Sequence, residues 1–180
     1  DLYLGKSHSN LLGSADEIYL TPGVSLDDPF LSEAKKNSVK MINDIDLFVS
    51  LANAPIILIT GSNGKSTVTE LVGLMARENN INVQVGGNIG RPALDTISEN
   101  CELYILELSS FQLEMCSNLR SSIACILNIT EDHLDRHGSI ENYENIKQKI
   151  YNNSKICIFN REDTSTRPKD NKNKNLISFG

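Results

Sequence analysis

The chain has 180 residues, a formal net charge of −6 and 39% hydrophobic residues. This length allows one good hydrophobic core and part of a second. The acidic balance argues against a nucleic-acid partner, because a phosphate backbone attracts an excess of positive charge. The sequence contains no apolar stretch near the ~18 residues that a membrane-spanning helix needs, so we expect no membrane insertion.

The first 51 residues carry weak patterns. A short strand is predicted at residues 17–20, and the Pro and Gly of residues 21–24 indicate a turn. Asp28 precedes a Pro that suits the first turn of a helix. A second short helix is predicted at residues 44–51.

From residue 54 onward, apolar strands alternate with helices. The strands are predicted at residues 55–59, 82–85, 103–106, 123–127 and 155–159. The helices are predicted at residues 66–78, 92–97 and 140–151, with Ser139 as the N-cap of the last. In the first of these helices, the apolar residues at helical spacing are Val68, Leu71, Val72 and Met75. The alternation predicts an α/β fold with a doubly wound, mostly parallel sheet, followed by a polar loop at residues 161–175.

The cysteines show neither a metal-binding nor a redox pattern. They are Cys101, Cys116, Cys125 and Cys157. They form no CxxC pair, and no Cys/His cluster has the spacing of a zinc site. We therefore expect reduced core thiols in a cytoplasmic protein.

A phosphate-binding loop is predicted between the first apolar strand and the helix that follows. Its sequence is Thr60-Gly-Ser-Asn-Gly-Lys-Ser-Thr67. Glycines let backbone N–H groups approach a phosphate, and the helix N-terminus adds partial positive charge. Lys65 would reach the β- and γ-phosphates of ATP, and Ser66 would bind Mg²⁺. The predicted nucleotide-binding residues are Gly61, Ser62, Asn63, Gly64, Lys65, Ser66 and Thr67.

This loop is a short variant of the general pattern, because Ile59 stands where the first Gly is expected. The alternative is an ordinary turn between a strand and a helix. Glu107 ends a buried strand at the carboxyl edge of the sheet, where a carboxylate can hold Mg²⁺ or simply face solvent. Asp132, His133 and Asp135 follow another strand, but such a cluster is equally typical of a solvated loop.

Lys147 lies on the apolar side of its predicted helix. That side comprises Ile140, Tyr143, Ile146 and Ile150. A lysine in this place can extend its ammonium group to solvent. A desolvated lysine instead has a lowered pKa, and its neutral amine can take up CO₂ as a carbamate.

Four motifs in order resemble those of the Mur ligases. They are residues 61–67, Gly86-Gly-Asn-Ile-Gly90, Glu107-Leu-Ser-Ser-Phe-Gln-Leu-Glu114 and Asn128-Ile-Thr-Glu-Asp-His-Leu-Asp-Arg136. The Leu-Ser-Ser-Phe-Gln-Leu segment is similar to that of the D-glutamate-adding member. The resemblance implies a remnant of a UDP-sugar-binding N-terminal domain at residues 1–51 and an incomplete central ATP-binding domain at residues 52–180. The start of the first domain and the whole C-terminal domain would be missing.

The resemblance also implies residue roles. One Mg²⁺ would be held by Ser66 and Glu107, and a second by His133 and carbamylated Lys147. The implied catalytic residues are Lys65, His133 and Lys147. The implied substrate contacts are Thr21, Gly23, Asn88, Ser109 and Gln112. Thr21 replaces the usual Ser of the family, and Asn and Ser in such loops are commonly turn formers.

The implied reaction joins D-glutamate to UDP-N-acetylmuramoyl-L-alanine through an acyl phosphate, with ATP and two Mg²⁺ ions, in peptidoglycan precursor synthesis. We expect a monomer in the bacterial cytoplasm, and we expect the chain alone to be inactive. The sequence leaves three alternatives open: a sister ligase for another amino acid, a P-loop ATPase or kinase without ligase activity, and a non-catalytic nucleotide-binding module.

Overall fold

The computed structural model describes residues 8–170 and 175–180. The α-helices are α1 (Ser9–Leu12), α2 (Ser32–Lys36), α3 (Asp44–Leu51), α4 (Lys65–Glu78), α5 (Ser110–Met115), α6 (Leu134–His137) and α7 (Ile140–Gln148). The strands are β1 (Glu17–Tyr19), β2 (Lys40–Ile42), β3 (Ile56–Thr60), β4 (Val83–Gly87), β5 (Leu103–Glu107), β6 (Ser121–Ile126), β7 (Ser154–Asn160) and β8 (Asn175–Phe179). Short 3₁₀ helices are Pro29–Leu31, Ala93–Thr96, Lys149–Tyr151 and Thr164–Thr166.

The strands form two parallel sheets. β1 and β2 pair with each other, and the larger sheet has six strands in the order β4-β5-β3-β6-β7-β8. The chain runs from β3 outward to β4 at one edge of the sheet, returns to β5 beside β3, and then crosses to β6 on the other side of β3. The connections that leave the carboxyl ends of β3 and β5 therefore run in opposite directions. Open α/β sheets bind ligands at such a switch point. The predicted α/β class and parallel sheet are confirmed.

Helices pack on both faces of the six-stranded sheet. α3, α5 and α7 bury their apolar side chains on one face, and α4 packs on the other. On the first face, the Phe48 ring of α3 meets Tyr104 of β5 edge-on, with ring centroids 5.1 Å apart. The main core therefore includes residues on the N-terminal side of position 51, and the division of the chain into two domains at that position stays a prediction.

The apolar stripe predicted for α4 is partly wrong. Leu71 and Met75 are 54% and 59% exposed, and the residues that α4 buries are Thr69, Gly73 and Ala76. Small residues allow a close approach, since a Cβ on Gly73 would lie 2.7 Å from a methyl of Val85. Ile140, predicted on the apolar side of α7, is also exposed at 37%.

Four of these α-helices and strands are not predicted by the sequence: α1, β2, α5 and α6. Ser109 and Gln112 form a capping box at the start of α5, a pattern that sequence alone can indicate. The four cysteines are buried and free, as predicted. Among the residues described, no helix has the length and apolar character needed to cross a membrane.

Candidate functional site

The phosphate loop follows β3 and is held by the segment after β6. Gly64 precedes α4 with φ of 78°, a left-handed conformation that glycine adopts without strain. The Asn63 N–H donates to Asn128 Oδ1 (2.8 Å), and Asn128 Nδ2 donates back to the Asn63 carbonyl (3.0 Å). Lys65 Nζ donates to the Ser62 carbonyl (2.9 Å), so its charge already lies over the loop.

Glu107 lies beside this loop because β5 pairs with β3. The register places Glu107 next to Ile59, and its side chain is only 2% exposed. Ser66 Oγ donates to Glu107 Oε2 (2.8 Å), and Asn88 Nδ2 donates to Oε1 (3.1 Å). A hydroxyl and a carboxylate side by side at the start of α4 form a donor set that suits Mg²⁺.

Gly87 allows Asn88 to reach that carboxylate. Its φ is 102°, and a Cβ there would collide with the Glu107 carbonyl oxygen. The Asn88 N–H also donates to this oxygen (2.8 Å). β4 and β5 therefore meet without an intervening side chain, and Asn88 is fixed by two hydrogen bonds to one residue.

Lys147 projects from α7 into the interior. It is 1% exposed, and its Nζ donates to the Gly61 carbonyl (2.9 Å) and to Thr60 Oγ1 (3.2 Å). The Tyr143 ring lies below it, with Nζ 4.7 Å from the ring centroid. Burial, aided by the nearby Lys65 charge, lowers the Lys147 pKa from 10.5 to about 7. A sizeable fraction of this side chain is therefore a neutral, nucleophilic amine near neutral pH.

His133 lies at the rim of the same region. Its φ is 51°, an uncommon left-handed conformation for a residue with a side chain, and such outliers concentrate at functional sites. Its Nε2 is 3.5 Å from Asp132 Oδ2, and its ring packs against Phe111 with centroids 5.0 Å apart. Asp135 is exposed. Within residues 8–170 and 175–180, no three His, Cys, Asp or Glu side chains converge on a metal position.

A small cavity of about 130 Å³ joins these parts. Its lining residues are Lys65, Asn88, Ser109, Ser110, Phe111, Asp132, His133, Tyr143 and Lys147. Five of them were predicted as site residues: Lys65, Asn88, Ser109, His133 and Lys147. The cavity is smaller than the roughly 300–1,000 Å³ of a drug-sized ligand site, so it suits one end of a substrate rather than a whole nucleotide.

The other predicted substrate residues lie apart from this lining. Thr21 and Gly23 are exposed in the predicted turn, and the neighbouring Val24 carbonyl accepts a hydrogen bond from Arg136 (3.4 Å). Gln112 is buried, and its Oε1 accepts from the Ser109 N–H (3.1 Å) and Oγ (3.2 Å). Gln112 therefore orients Ser109, and its direct contact with a substrate stays a prediction.

The sequence patterns indicate no site role for Ser110, Phe111 or Tyr143, which also line the cavity. Ser110 and Phe111 follow the N-cap of α5, and recognition of the capping box would have placed them at a helix start beside Glu107. The helical pattern predicts Tyr143 as a core residue. It is buried, but its hydroxyl lies 3.3 Å from Ser62 Oγ in the phosphate loop.

Residues 59–180 match the Mur ligase middle domain. The chain belongs to the Mur ligase family. It is 48% identical over 179 residues to the UDP-N-acetylmuramoylalanine–D-glutamate ligase of Escherichia coli (strain K12), and the match covers 99% of this chain and 41% of that enzyme. The same enzyme of Salmonella paratyphi A is 46% identical, with the same coverage. The chain thus spans about two-fifths of the length of these Mur ligases.

Solved structures show the same Mur ligase fold. MurF of Thermotoga maritima in complex with ADP has a TM-score of 0.61 at 18% identity, over 94% of this chain and 51% of that chain. The Neisseria meningitides UDP-N-acetylmuramate:L-alanyl-gamma-D-glutamyl-meso-diaminopimelate ligase has a TM-score of 0.64 at 12% identity, over 92% of this chain and 59% of that chain. Such low identities support the fold alone.

Proposed function

We propose that this chain carries the ATP-binding core of a ligase that adds D-glutamate to UDP-N-acetylmuramoyl-L-alanine through an acyl phosphate. One observation carries the proposal: a single cavity joins Lys65 of the phosphate loop to the buried Lys147, within a chain 48% identical to an enzyme of that name. The nucleotide would lie along residues 61–67, and the alanyl carboxylate would enter the cavity.

Catalysis in this proposal is chiefly the positioning of two anions that repel each other. Lys65 would exchange its bond with the Ser62 carbonyl for the phosphates of ATP. The alanyl carboxylate attacks the γ-phosphorus and forms the acyl phosphate as ADP leaves. The amine of D-glutamate then attacks the acyl carbon, and inorganic phosphate departs with the carboxyl oxygen.

Two Mg²⁺ ions fit the residues present. Ser66 and Glu107 would hold one, since their oxygens already lie 2.8 Å apart. His133 and carbamylated Lys147 would hold the second, because both line the cavity. When bound, the ions would neutralise phosphate charge and stabilise the tetrahedral intermediate.

Carbamate formation suits the surroundings of Lys147. The neutral Nζ would attack CO₂, forming an N–C bond and releasing one proton to solvent. The carbamate nitrogen retains one N–H, which can keep the hydrogen bond to the Gly61 carbonyl (2.9 Å). The new carboxylate would then provide the oxygen ligands that the uncharged amine cannot.

Asn88, Ser109 and Gln112 would contact the muramoyl-alanine end of the substrate. Gln112 would also orient Ser109 by accepting the hydrogen bond from its N–H. Thr21 and Gly23 would lie near its diphosphate, as part of a UDP-sugar-binding domain at residues 1–51. Residues 52–180 would form the incomplete ATP-binding domain. The protein would act as a monomer in the bacterial cytoplasm.

The deciding experiment is phosphate release by the full-length protein with MgATP, in the presence of the UDP-sugar and D-glutamate or other amino acids. Release that needs both UDP-N-acetylmuramoyl-L-alanine and D-glutamate is expected. Release with neither would identify a plain ATPase, release with a different amino acid a sister ligase, and nucleotide binding without turnover a non-catalytic module.

The carbamate is tested with Lys147→Ala in the same assay. A small carboxylate such as acetate should restore part of the lost activity by occupying the place of the carbamate. Lys149→Ala is the matched control and should respond to acetate no more than the wild type. Failure of both acetate and formate to restore any activity, in a variant that still binds MgATP, would count against the carbamate.

A further inference from the structure

A buried histidine lies directly behind the cavity and has no part in the mechanism above. His137 ends α6 and is 4% exposed. Its Nε2 is 3.0 Å from the Oγ of Ser110, a cavity-lining residue that is itself 3% exposed. Its ring packs between Phe111 and Tyr143, with centroid separations of 5.4 and 5.5 Å. The imidazole is thus fixed in position and orientation.

The second ring nitrogen determines which way this hydrogen bond runs. Nδ1 of His137 is buried and has no hydrogen-bond partner among the described residues. A proton on Nδ1 would be a buried N–H without an acceptor, and buried N–H groups of that kind are rarer than under-satisfied acceptors. The proton therefore belongs on Nε2, from which it is donated to Ser110. Burial lowers the His137 pKa, which keeps the ring neutral with this single proton.

The direction of the hydrogen bond between His137 and Ser110 determines whether the Ser110 hydroxyl can donate to a ligand. A hydroxyl is one donor with two acceptor lone pairs. Because Ser110 accepts from His137, its own O–H is free to donate, and the residue lines a cavity that Lys65 and Lys147 also line. A donor in that place matches an anionic oxygen. The proton on the opposite nitrogen would instead turn the Ser110 lone pairs toward the ligand and repel it.

We propose that His137 is a positioning residue that, through Ser110, directs a hydroxyl donor at the carboxylate or acyl-phosphate oxygen of the substrate. This inference rests on the proposed ligase function for the identity of the anion, and on the geometry alone for the direction of the hydrogen bond. His137 itself is not one of the described residues that line the cavity.

The direction of the hydrogen bond can be measured without activity. Nitrogen-15 spectra of the full-length protein should show His137 with a protonated Nε2 and an unprotonated Nδ1. Ser110→Ala should shift the Nε2 resonance more than the Nδ1 resonance, because it removes the acceptor. The opposite tautomer in the wild type would overturn the proposal and leave the ligase function untouched.

The functional test is a double-mutant cycle in the full-length protein. His137→Phe keeps the ring stacking and removes both nitrogens, and Ser110→Ala removes the hydroxyl. Each should lower kcat/KM for the UDP-sugar about tenfold or more, as for the loss of one hydrogen bond to a charged group, while the Kd for MgATP stays unchanged. The double variant should lose no more than Ser110→Ala, and His137→Gln, whose amide N–H can replace Nε2–H, should recover most of the loss.

Full additivity of the two losses, or wild-type kinetics in a folded His137→Phe variant, would overturn the proposal. A wild-type protein that releases phosphate without any UDP-sugar would instead defeat the proposed function. In that case the tautomer measurement still decides whether His137 directs Ser110. Thermal unfolding of each variant separates a lost hydrogen bond from a lost fold.

Discussion

The two faces of the six-stranded sheet are covered to different extents. α3, α5 and α7 close one face, and the apolar side chains beneath them are almost fully buried. Among residues 8–170 and 175–180, α4 is the one helix on the other face, and an entirely apolar groove of about 410 Å³ lies open beside it, between Val72 of the helix and Phe179 of β8. Leu71, Leu74 and Met75 on α4 are also more than half exposed.

Each face supplies one half of the candidate site. The closed face supplies Lys147 from α7, and its dense packing is what lowers the pKa of that amine. The open face supplies Lys65 and Ser66 from the first turn of α4, where Lys65 is half-buried and Ser66 is exposed. The closed face thus holds a buried amine with a lowered pKa, and the open face holds a partly exposed lysine.

The largest expected effect is a loss of folding stability, which a matched pair of leucine substitutions tests in the full-length protein. Leu113→Ala on the closed face removes a fully buried side chain and should lower the free energy of unfolding by about 2–5 kcal/mol. Leu74→Ala on the open face, where the side chain is 52% exposed, should change it by less than about 0.5 kcal/mol. Urea denaturation compares the two, and equal losses would show that the outer side of α4 is covered in the full-length protein.

Lys65→Ala should weaken MgATP binding by about 100-fold, because charge-assisted hydrogen bonds to phosphate contribute about 1.5–3 kcal/mol each. Lys155→Ala at the opposite edge of the sheet is the control and should bind like the wild type. Isothermal titration calorimetry gives both constants. An unchanged affinity in Lys65→Ala would mean that residues 61–67 do not form a phosphate site.

Per pH unit, the smallest effect comes from the pH dependence of stability on the closed face. The Lys147 pKa falls from 10.5 in the unfolded chain to about 7 in the folded chain, so between these values the unfolded chain holds the extra proton. Stability should therefore rise with pH in this range, approaching about 1.4 kcal/mol per pH unit, and this gain should be absent from Lys147→Met. Urea denaturation in CO₂-free buffer at several pH values measures the difference, and parallel pH profiles of the two proteins would contradict the lowered pKa.

The sequence was most informative where local signals determine the structure. The phosphate loop, the position of Glu107 at a strand end and the inward direction of Lys147 each follow from strand, loop and helix patterns within a few residues. The predicted apolar side of α4 was wrong for Leu71 and Met75, because helical periodicity identifies an apolar side but does not show which element covers it. The pairing of His137 with Ser110 joins residues 27 positions apart through tertiary packing, and a lone histidine carries no signal of it.

Gly87 sets a limit on how this sequence can change over time. Every substitution there would add a Cβ that collides with the Glu107 carbonyl and would force a side chain into a left-handed backbone. A mutation at this one codon would thereby displace Asn88 and the Glu107 carboxylate together. Leu71 and Met75, by contrast, are more than half exposed, so replacing them should disturb the core little. The sequence should therefore diverge faster on the outer side of α4 than at the end of β4.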